Sequence, residues 1–393
     1  MLNKKTVKDI QVNGKTVLVR CDFNVPLDRE TSSVITSDKR IVESLKTIEY
    51  LINAGTKIVL CSHIGKTKKG LSLKPVAEKL ATYLNRPIRF LNDCIGPAVD
   101  NEIANMKVGE IILLENLRNY EEEEANDENF AKSLANNIDV FVNDAFGTAH
   151  RKHASTYGVT KFLPSVAGFL IDKEIQNLDN AINEPKRPLV AVIGGAKVSS
   201  KLGVLLSLIN KVDTILIGGA MAYTFLKALG HETGKSIVEE DLIDKAKEII
   251  NEANEKNVKL LLPIDNIIAS EISDLAETKE VMIEEIPEDK MGLDIGSQTI
   301  AIYKNEILKA ETVVWNGPVG VFEVEQFGKG TREIAIALAI SNGITIIGGG
   351  DTTAALEKLN LEDEMTHVST GGGASLVFLE GKELPAIAAL LDK

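Results

Sequence analysis

The stretch VLVRCDFNVP, residues 17–26, decides how the rest of the chain is read. Val17, Leu18 and Val19 form an unbroken apolar run, the mark of a strand buried on both faces. Arg20, Asp22 and Asn24 follow at alternate positions, so an extended chain turns all three to one face. Pro26 ends any ladder. A buried strand that closes on a guanidinium, a carboxylate and an amide must solvate or pair them. In an open parallel sheet, that end is also where ligands bind.

The pattern recurs along the chain. Short apolar runs stand at 57–61, 111–114, 139–142, 189–193, 214–217, 259–262, 312–315 and 344–347. Stretches of helical period at 38–54, 74–84, 198–210, 239–256 and 328–341 separate them. Strand and helix in alternation, with continuous rather than alternating apolar strands, specify parallel sheets covered on both faces. At 393 residues the chain exceeds the roughly 250–300 at which single cores stop growing. The seam is NEPKRPLVAV, where Pro185 and Pro188 bracket a charged pair ahead of a new strand. The expected architecture is therefore α/β: two doubly wound, Rossmann-like parallel-sheet domains joined by a hinge helix and linker. The first spans 1–172, the hinge helix and linker 173–188, and the second 189–378.

Composition narrows the function. The chain is 44% hydrophobic and 26% charged, with a net charge of −13 that argues against a nucleic-acid surface. Cys21, Cys61 and Cys94 have neither C-x-x-C nor metal spacing and read as reduced thiols of a cytosolic protein. MLNKKTVKDI has no apolar stretch behind its lysines, and no run approaches 18 apolar residues, so neither signal peptide nor membrane span is expected. The acidic run EEEE (121–124) reads as a solvated loop or helix start. His150 and His153 lack a third partner for a metal.

The strand exits carry the chemistry. In the first half they supply Asp22 and Asn24, then Ser62-His63-Ile64-Gly65-Lys66, Arg118, and Asn143 to His153 with Arg151 among them. Arg40 opens a helix nearby. So many cationic and donor groups in an acidic chain imply a small anionic ligand, and arginine favours phosphate or carboxylate. In the second half the exits are glycine-rich: Gly194-Gly195 before Lys197 and Lys201, Gly218-Gly219, Asn316 to Glu323, Gly348 to Thr352, and Gly371 to Gly373. Glycine there lets backbone N–H groups approach phosphate at helix starts, which points to a nucleotide polyphosphate. No G-x-G-x-x-G follows a strand. LGHETGKS (229–236) imitates a phosphate-binding loop but has Leu229 for the first glycine and follows a helical run, so it is set aside.

Taken with SHIGK, ENLR, FVNDAFGTAHR, GGAKVSSK, MGLDIG, WNGPVGVFE, IIGGGDTTAA and STGGGASL, the opening stretch resembles the phosphoglycerate kinase family, in that family's order and over essentially the whole chain. The resemblance implies reversible, in-line phosphoryl transfer from 1,3-bisphosphoglycerate to ADP in a closing interdomain cleft, within glycolysis and gluconeogenesis. It implies a triose site of Asp22, Phe23, Asn24, Arg40, His63, Ile64, Gly65, Lys66, Arg118 and Arg151. It implies a nucleotide site of Lys197, Lys201, Gly292, Glu323, Gly349, Gly350, Asp351 and Thr352, with Asp351 near magnesium carried as Mg-ATP or Mg-ADP. Arg40, Lys197 and the amides of Gly371 and Gly372 are the implied catalytic groups. The tail 379–393 is implied to pack on the first domain, and the protein to be a cytoplasmic monomer without nucleic-acid or membrane partners. HIGKTKKG departs from the family's usual HLGRP, since Lys66 keeps the charge but not the bidentate fork. A catalytically silent nucleotide-binding protein and a kinase making a different acyl phosphate are the rival readings.

Overall fold

The computed structural model describes residues 3–28, 33–65 and 70–393. The chain divides into two compact units, Met1–Gln176 with Glu383–Lys393, and Asn177–Lys382.

The first unit is built on six parallel strands, β1 (Thr16–Cys21), β2 (Lys57–Cys61), β3 (Arg89–Phe90), β4 (Ile111–Leu113), β5 (Val140–Asp144) and β6 (Ser165–Ala167). Their order is β3-β4-β2-β1-β5-β6, so β1 has β2 on one side and β5 on the other. Side chains alternate across the sheet. Val17, Val19, Ile58, Leu60 and Val142 fill one core, while Leu18, Val59, Ile112 and Phe141 fill the other. Both faces are dry, which is why the strand shows no polar alternation. Helix Lys39–Asn53 seals the first core with Ile41, Ile48 and Leu51. The last residues close the same unit. Leu391 N–H donates to Ser165 O at 2.9 Å, and Lys4 Nζ lies 2.8 Å from Asp392.

The second unit holds β7 (Leu189–Ile193), β8 (Thr214–Ile217), β9 (Lys259–Leu261), β13 (Thr312–Asn316), β14 (Ile344–Gly348) and β15 (His367–Val368) in the order β15-β14-β13-β7-β8-β9. Counted within the unit this is the 3-2-1-4-5-6 winding, whose switch point falls between β7 and β13. A separate antiparallel sheet of β10 (Asp265–Ala269), β11 (Lys279–Met282) and β12 (Met291–Ile295) interrupts the series. Nothing in the apolar patterning announced it, because Lys279 and Glu280 leave β11 half wet. The helix expected at 198–210 is shorter, Leu202–Leu208. The acidic run is indeed a helix, Glu121–Glu124, but Glu123 is buried rather than solvated. Cys21, Cys61 and Cys94 are free and buried. Among the described residues no helix is long and apolar enough to cross a membrane.

Helix Phe169–Asn183 starts in the first unit and ends in the second. Its first turn rests on Asp144, whose Oδ1 accepts from Leu170 N–H at 2.8 Å. Burial pushes the Asp144 carboxyl up to about 7, against the pull of those amides. An unfolded aspartate ionises near 4, so the stability this neutral group supplies is complete below about 4 and lost as pH rises to about 7. Asp144→Asn should therefore stabilise the fold by about 1–3 kcal/mol at pH 8 and not at pH 4. Urea unfolding at the two pH values checks this, and an equal shift at both would contradict it.

Candidate active site

The polar row after β1 is tied down group by group. Arg40, in the first turn of helix Lys39–Asn53, donates from Nη1 to Asp22 Oδ2 at 2.5 Å. Burial opposes charge on Asp22, but the guanidinium of Arg40, then that of Arg20, holds its carboxyl below the usual carboxylate range. Asn24 Oδ1 accepts from Gly65 N–H at 2.8 Å, which joins the exit of β1 to that of β2. Arg118 is almost buried. It donates from Nη1 to Gly65 O, and its Nε lies 3.4 Å from Glu124 Oε1. The structure thus gathers Asp22, Asn24, Arg40, His63, Gly65 and Arg118.

Phe23 and Ile64 enter differently from the rest. Both side chains are core residues, and Phe23 N–H is already donated to Ser62 Oγ at 2.8 Å. Sequence reasoning missed Asn116, which clasps the same loop. Its Oδ1 accepts from Ile64 N–H at 3.2 Å, and its Nδ2 donates to Ile64 O and Leu71 O at 3.0 Å each. The asparagine of ENLR was the available signal. Arg151 is exposed, donates from Nε to His150 Nε2 at 3.2 Å, and lies within electrostatic range of Arg118 and His153. Burial, then Arg20, holds His153 down to about 4, so it is neutral near pH 7. Lys66 lies outside the described residues.

Arg20 is paired with neutral acceptors. It is fully buried and donates to Ser155 Oγ at 2.8 Å, to Ser62 Oγ at 3.4 Å and to Cys21 O, none of them a carboxylate. Its Nη2 lies 3.1 Å from His63 Nδ1. Asp22 and Glu123 both lie within its electrostatic range, and Ser155 links it to Glu123 through a hydroxyl that donates to Glu123 Oε1 at 2.6 Å.

In the second unit the glycine-rich exits serve two purposes. After β7 and β13 they allow backbone to pack on backbone. A Cβ on Gly194 would fall 2.1 Å from Pro318 O, and Gly194 N–H donates to Asn316 O at 3.0 Å. After β14 the loop opens instead. Gly349 takes φ +97°, a conformation that glycine adopts without cost, and a Cβ on Gly350 would meet nothing within 4 Å. Helix Gly350–Leu359 begins there and carries Asp351, exposed, in its first turn. Helix Gly372–Leu379 begins close by, since a Cβ on Gly372 would lie 3.0 Å from Gly350 N. Gly371 N–H is already donated to Ser369 Oγ at 3.2 Å, so the amides of Gly372 and Gly373 are the donors that the helix leaves unpaired.

Lys201 and Asn316 form the floor of this cradle. Lys201 Nζ donates to Asn316 Oδ1. Burial lowers the proton affinity of Lys201, while Asp351 and Glu380 partly restore it. Asn316 is fully buried, and its Nδ2 has no acceptor among the described residues. A Cβ on Gly349 would lie 3.3 Å from that nitrogen. A buried donor without a partner costs about 1–3 kcal/mol, which a phosphate oxygen would relieve. Thr352 is buried and accepts from Gly317 N–H at 2.7 Å, holding the β13 exit to the β14 exit. Lys197 and Glu323 are exposed, and Lys197 lies near Glu239. Gly292 sits apart in β12, where a Cβ would strike the Tyr223 hydroxyl at 1.8 Å. Among the described residues no group of three or more His, Cys, Asp or Glu could hold a metal alone. A single carboxylate, Asp351, beside phosphate-seeking donors fits magnesium carried on a nucleotide.

Comparison with known proteins identifies the chain's relatives. The family model described as phosphoglycerate kinase matches residues 7–382. The phosphoglycerate kinase of Dictyoglomus turgidum is 54% identical over 397 residues, covering 99% of this chain and all of that relative. That of Clostridium novyi is 55% identical over 401 residues and covers both chains completely. Among solved structures, phosphoglycerate kinase from Coxiella burnetii superposes with a TM-score of 0.89 at 42% identity over 98% of each chain. The one from Pyrococcus horikoshii gives 0.85 at 34% identity, again over 98% of each.

Proposed function

The chain belongs to the phosphoglycerate kinase family, and from that premise we propose how its residues divide the work. The enzyme transfers the acyl phosphate of 1,3-bisphosphoglycerate to ADP, reversibly, giving 3-phosphoglycerate and ATP. The first unit holds the triose. The observation that carries this is a cluster of Arg20, Arg40 and Arg118 around His63, with the single carboxylate of Asp22 among them, in a chain of net charge −13. Arg118 and the exposed Arg151 meet the anionic ends of the substrate, and His63 and Asn24 its polar groups. The second unit holds the nucleotide, with Lys201, Asn316 and the amides of Gly349, Gly350, Gly372 and Gly373 facing its phosphates. Lys197 and Glu323 offer exposed contacts, Thr352 braces the loops, and Gly292 lines the outer wall. The enzyme works as a cytoplasmic monomer on small-molecule substrates.

Both nucleophiles, a carboxylate and a β-phosphate, are anionic near pH 7, so no general base is needed. The protein's task is to align donor and acceptor and to stabilise charge on a loose transition state. Arg40 is the group placed for this on the triose side, with Lys197 and the Gly372 and Gly373 amides on the nucleotide side. Asp351 would hold magnesium against the nucleotide phosphates, where the ion neutralises negative charge. Transfer also requires that the ligands be in contact and water excluded, since water would hydrolyse the acyl phosphate.

Arg118→Ala tests the division. Calorimetric titration should show 3-phosphoglycerate affinity lowered by about tenfold or more, with ADP affinity unchanged. Undisturbed 3-phosphoglycerate binding would refute the assignment of the triose to the first unit.

A further inference from the structure

We infer that Arg20, anchored by Ser155 and Glu123, is a positioning residue that fixes His63 as a neutral imidazole with its proton on Nε2. The inference rests on the reading of His63 as a triose-site residue and goes beyond it by assigning the ring's protonation and what enforces it.

The argument starts from donor and acceptor chemistry. A guanidinium has five N–H donors and no acceptor. Arg20 Nη2 lies 3.1 Å from His63 Nδ1, and both side chains are buried. If Nδ1 carried a proton, two N–H groups would point at each other in a dry site. Nδ1 therefore presents its lone pair, and the ring's proton is on Nε2. An imidazolium is excluded by the same contact, because it would have to protonate Nδ1.

Arg20 can impose this because it cannot turn away. Nε is held by Ser155 Oγ at 2.8 Å, and Nη1 reaches Cys21 O and Ser62 Oγ. The hydroxyls are arranged to receive it. Ser155 has one proton and donates it to Glu123 Oε1 at 2.6 Å, so its lone pairs are left for Arg20. Ser155 N–H fixes the other oxygen of Glu123 at 2.9 Å. Ser62 likewise donates to Cys21 O at 2.8 Å, leaving its lone pairs for Phe23 N–H and Arg20. The charge of Arg20 is thus balanced by Glu123 one hydroxyl away, and its free edge is aimed at His63.

The surroundings favour the same state. Among the described residues, Arg20, Arg40 and Arg118 set three cations near His63 against the one carboxylate of Asp22, and Arg118 is itself engaged by Glu124. Burial first, then Arg20, holds the His63 imidazole well below its usual range. The consequence is functional. The Nε2–H donor stays available from mildly acidic to alkaline pH, so triose binding has no step from His63 near pH 6.5.

Nitrogen NMR of the full-length enzyme, labelled with ¹⁵N-histidine and assigned with His63→Gln, tests this directly. The expected result is an unprotonated Nδ1 and a protonated Nε2 on His63 from pH 8 to pH 5.5. A protonated Nδ1, or titration near pH 6.5, would overturn the inference. Arg20→Leu should release the ring, giving mixed tautomers and a midpoint raised above that of the wild type, though burial, Arg118 and Arg40 still hold it down. Its KM for 3-phosphoglycerate, relative to the wild type at the same pH, should then rise about three- to tenfold from below that midpoint to above it. Arg20→Gln, which keeps an N–H donor, should recover the Nε2–H tautomer. Should Arg20→Leu not fold, Ser155→Ala loosens the same anchor and should move the His63 nitrogen shifts in the same direction. A flat KM ratio and wild-type tautomer in a folded Arg20→Leu would also overturn it. If His63→Gln leaves 3-phosphoglycerate affinity unchanged, the triose reading of His63 fails while the tautomer result stands, so the two failures are separable.

Discussion

Arg40→Ala should lower kcat by about three orders of magnitude, with 3-phosphoglycerate affinity changed far less. Arg40 is half-buried at the head of its helix, bonded through one nitrogen to Asp22, with the remaining donors of its fork available to a transferring phosphoryl group. Alanine removes those donors and strands the Asp22 carboxylate, which is 4% exposed and loses its nearest cation. A new acid-side dependence of kcat should accompany the loss as Asp22 becomes easier to protonate. Arg40→Lys should recover only part of the rate, because one ammonium replaces a planar fork. Steady-state assays from pH 6 to pH 8 decide it, and a kcat within a few-fold of the wild type would remove Arg40 from its assigned place.

Gly194→Ala should be among the most damaging single methyl groups in the second unit. The added Cβ would lie 2.1 Å from Pro318 O and 2.5 Å from Gly317 O, both rigid backbone atoms. The loops after β7 and β13 must part to admit it, at a cost of about 3 kcal/mol or more. Separation would also break the hydrogen bond from Gly194 N–H to Asn316 O and move the amide that anchors Lys201. The melting temperature should fall and ADP affinity drop at least tenfold. A variant that melts and binds ADP like the wild type would contradict the packing role of this loop.

The two sheets were legible because each central strand is buried on both faces, and VLV, LVAVI and ITII carry that fact in their composition. The antiparallel sheet was not, because exposed Lys279 and Glu280 hide β11 from the same criterion. The exits of β1 and β2 were readable as polar, but their wiring depended on residues remote in sequence. Arg20 meets Ser155, and Ser155 meets Glu123, across separations that no local pattern records. Glu123 therefore looked like one more solvated acid in EEEE. Glycine was ambiguous for a physical reason. The same residue type serves the backbone crossing at Gly194 and the open loop at Gly350, and only the neighbours distinguish them. Asn316 was quoted among the exits, yet its value lies in a buried, unpaired Nδ2 that the sequence could not reveal.

A coupled assay of the purified enzyme with Mg-ATP and a panel of carboxylates tests the whole assignment in one experiment. ATP should be consumed with 3-phosphoglycerate and not with acetate, aspartate or glutamate, and ADP with 1,3-bisphosphoglycerate should regenerate ATP. Turnover with a carboxylate that lacks a phosphate, or no turnover with 3-phosphoglycerate, would contradict a triose site built on Arg40, Arg118 and His63.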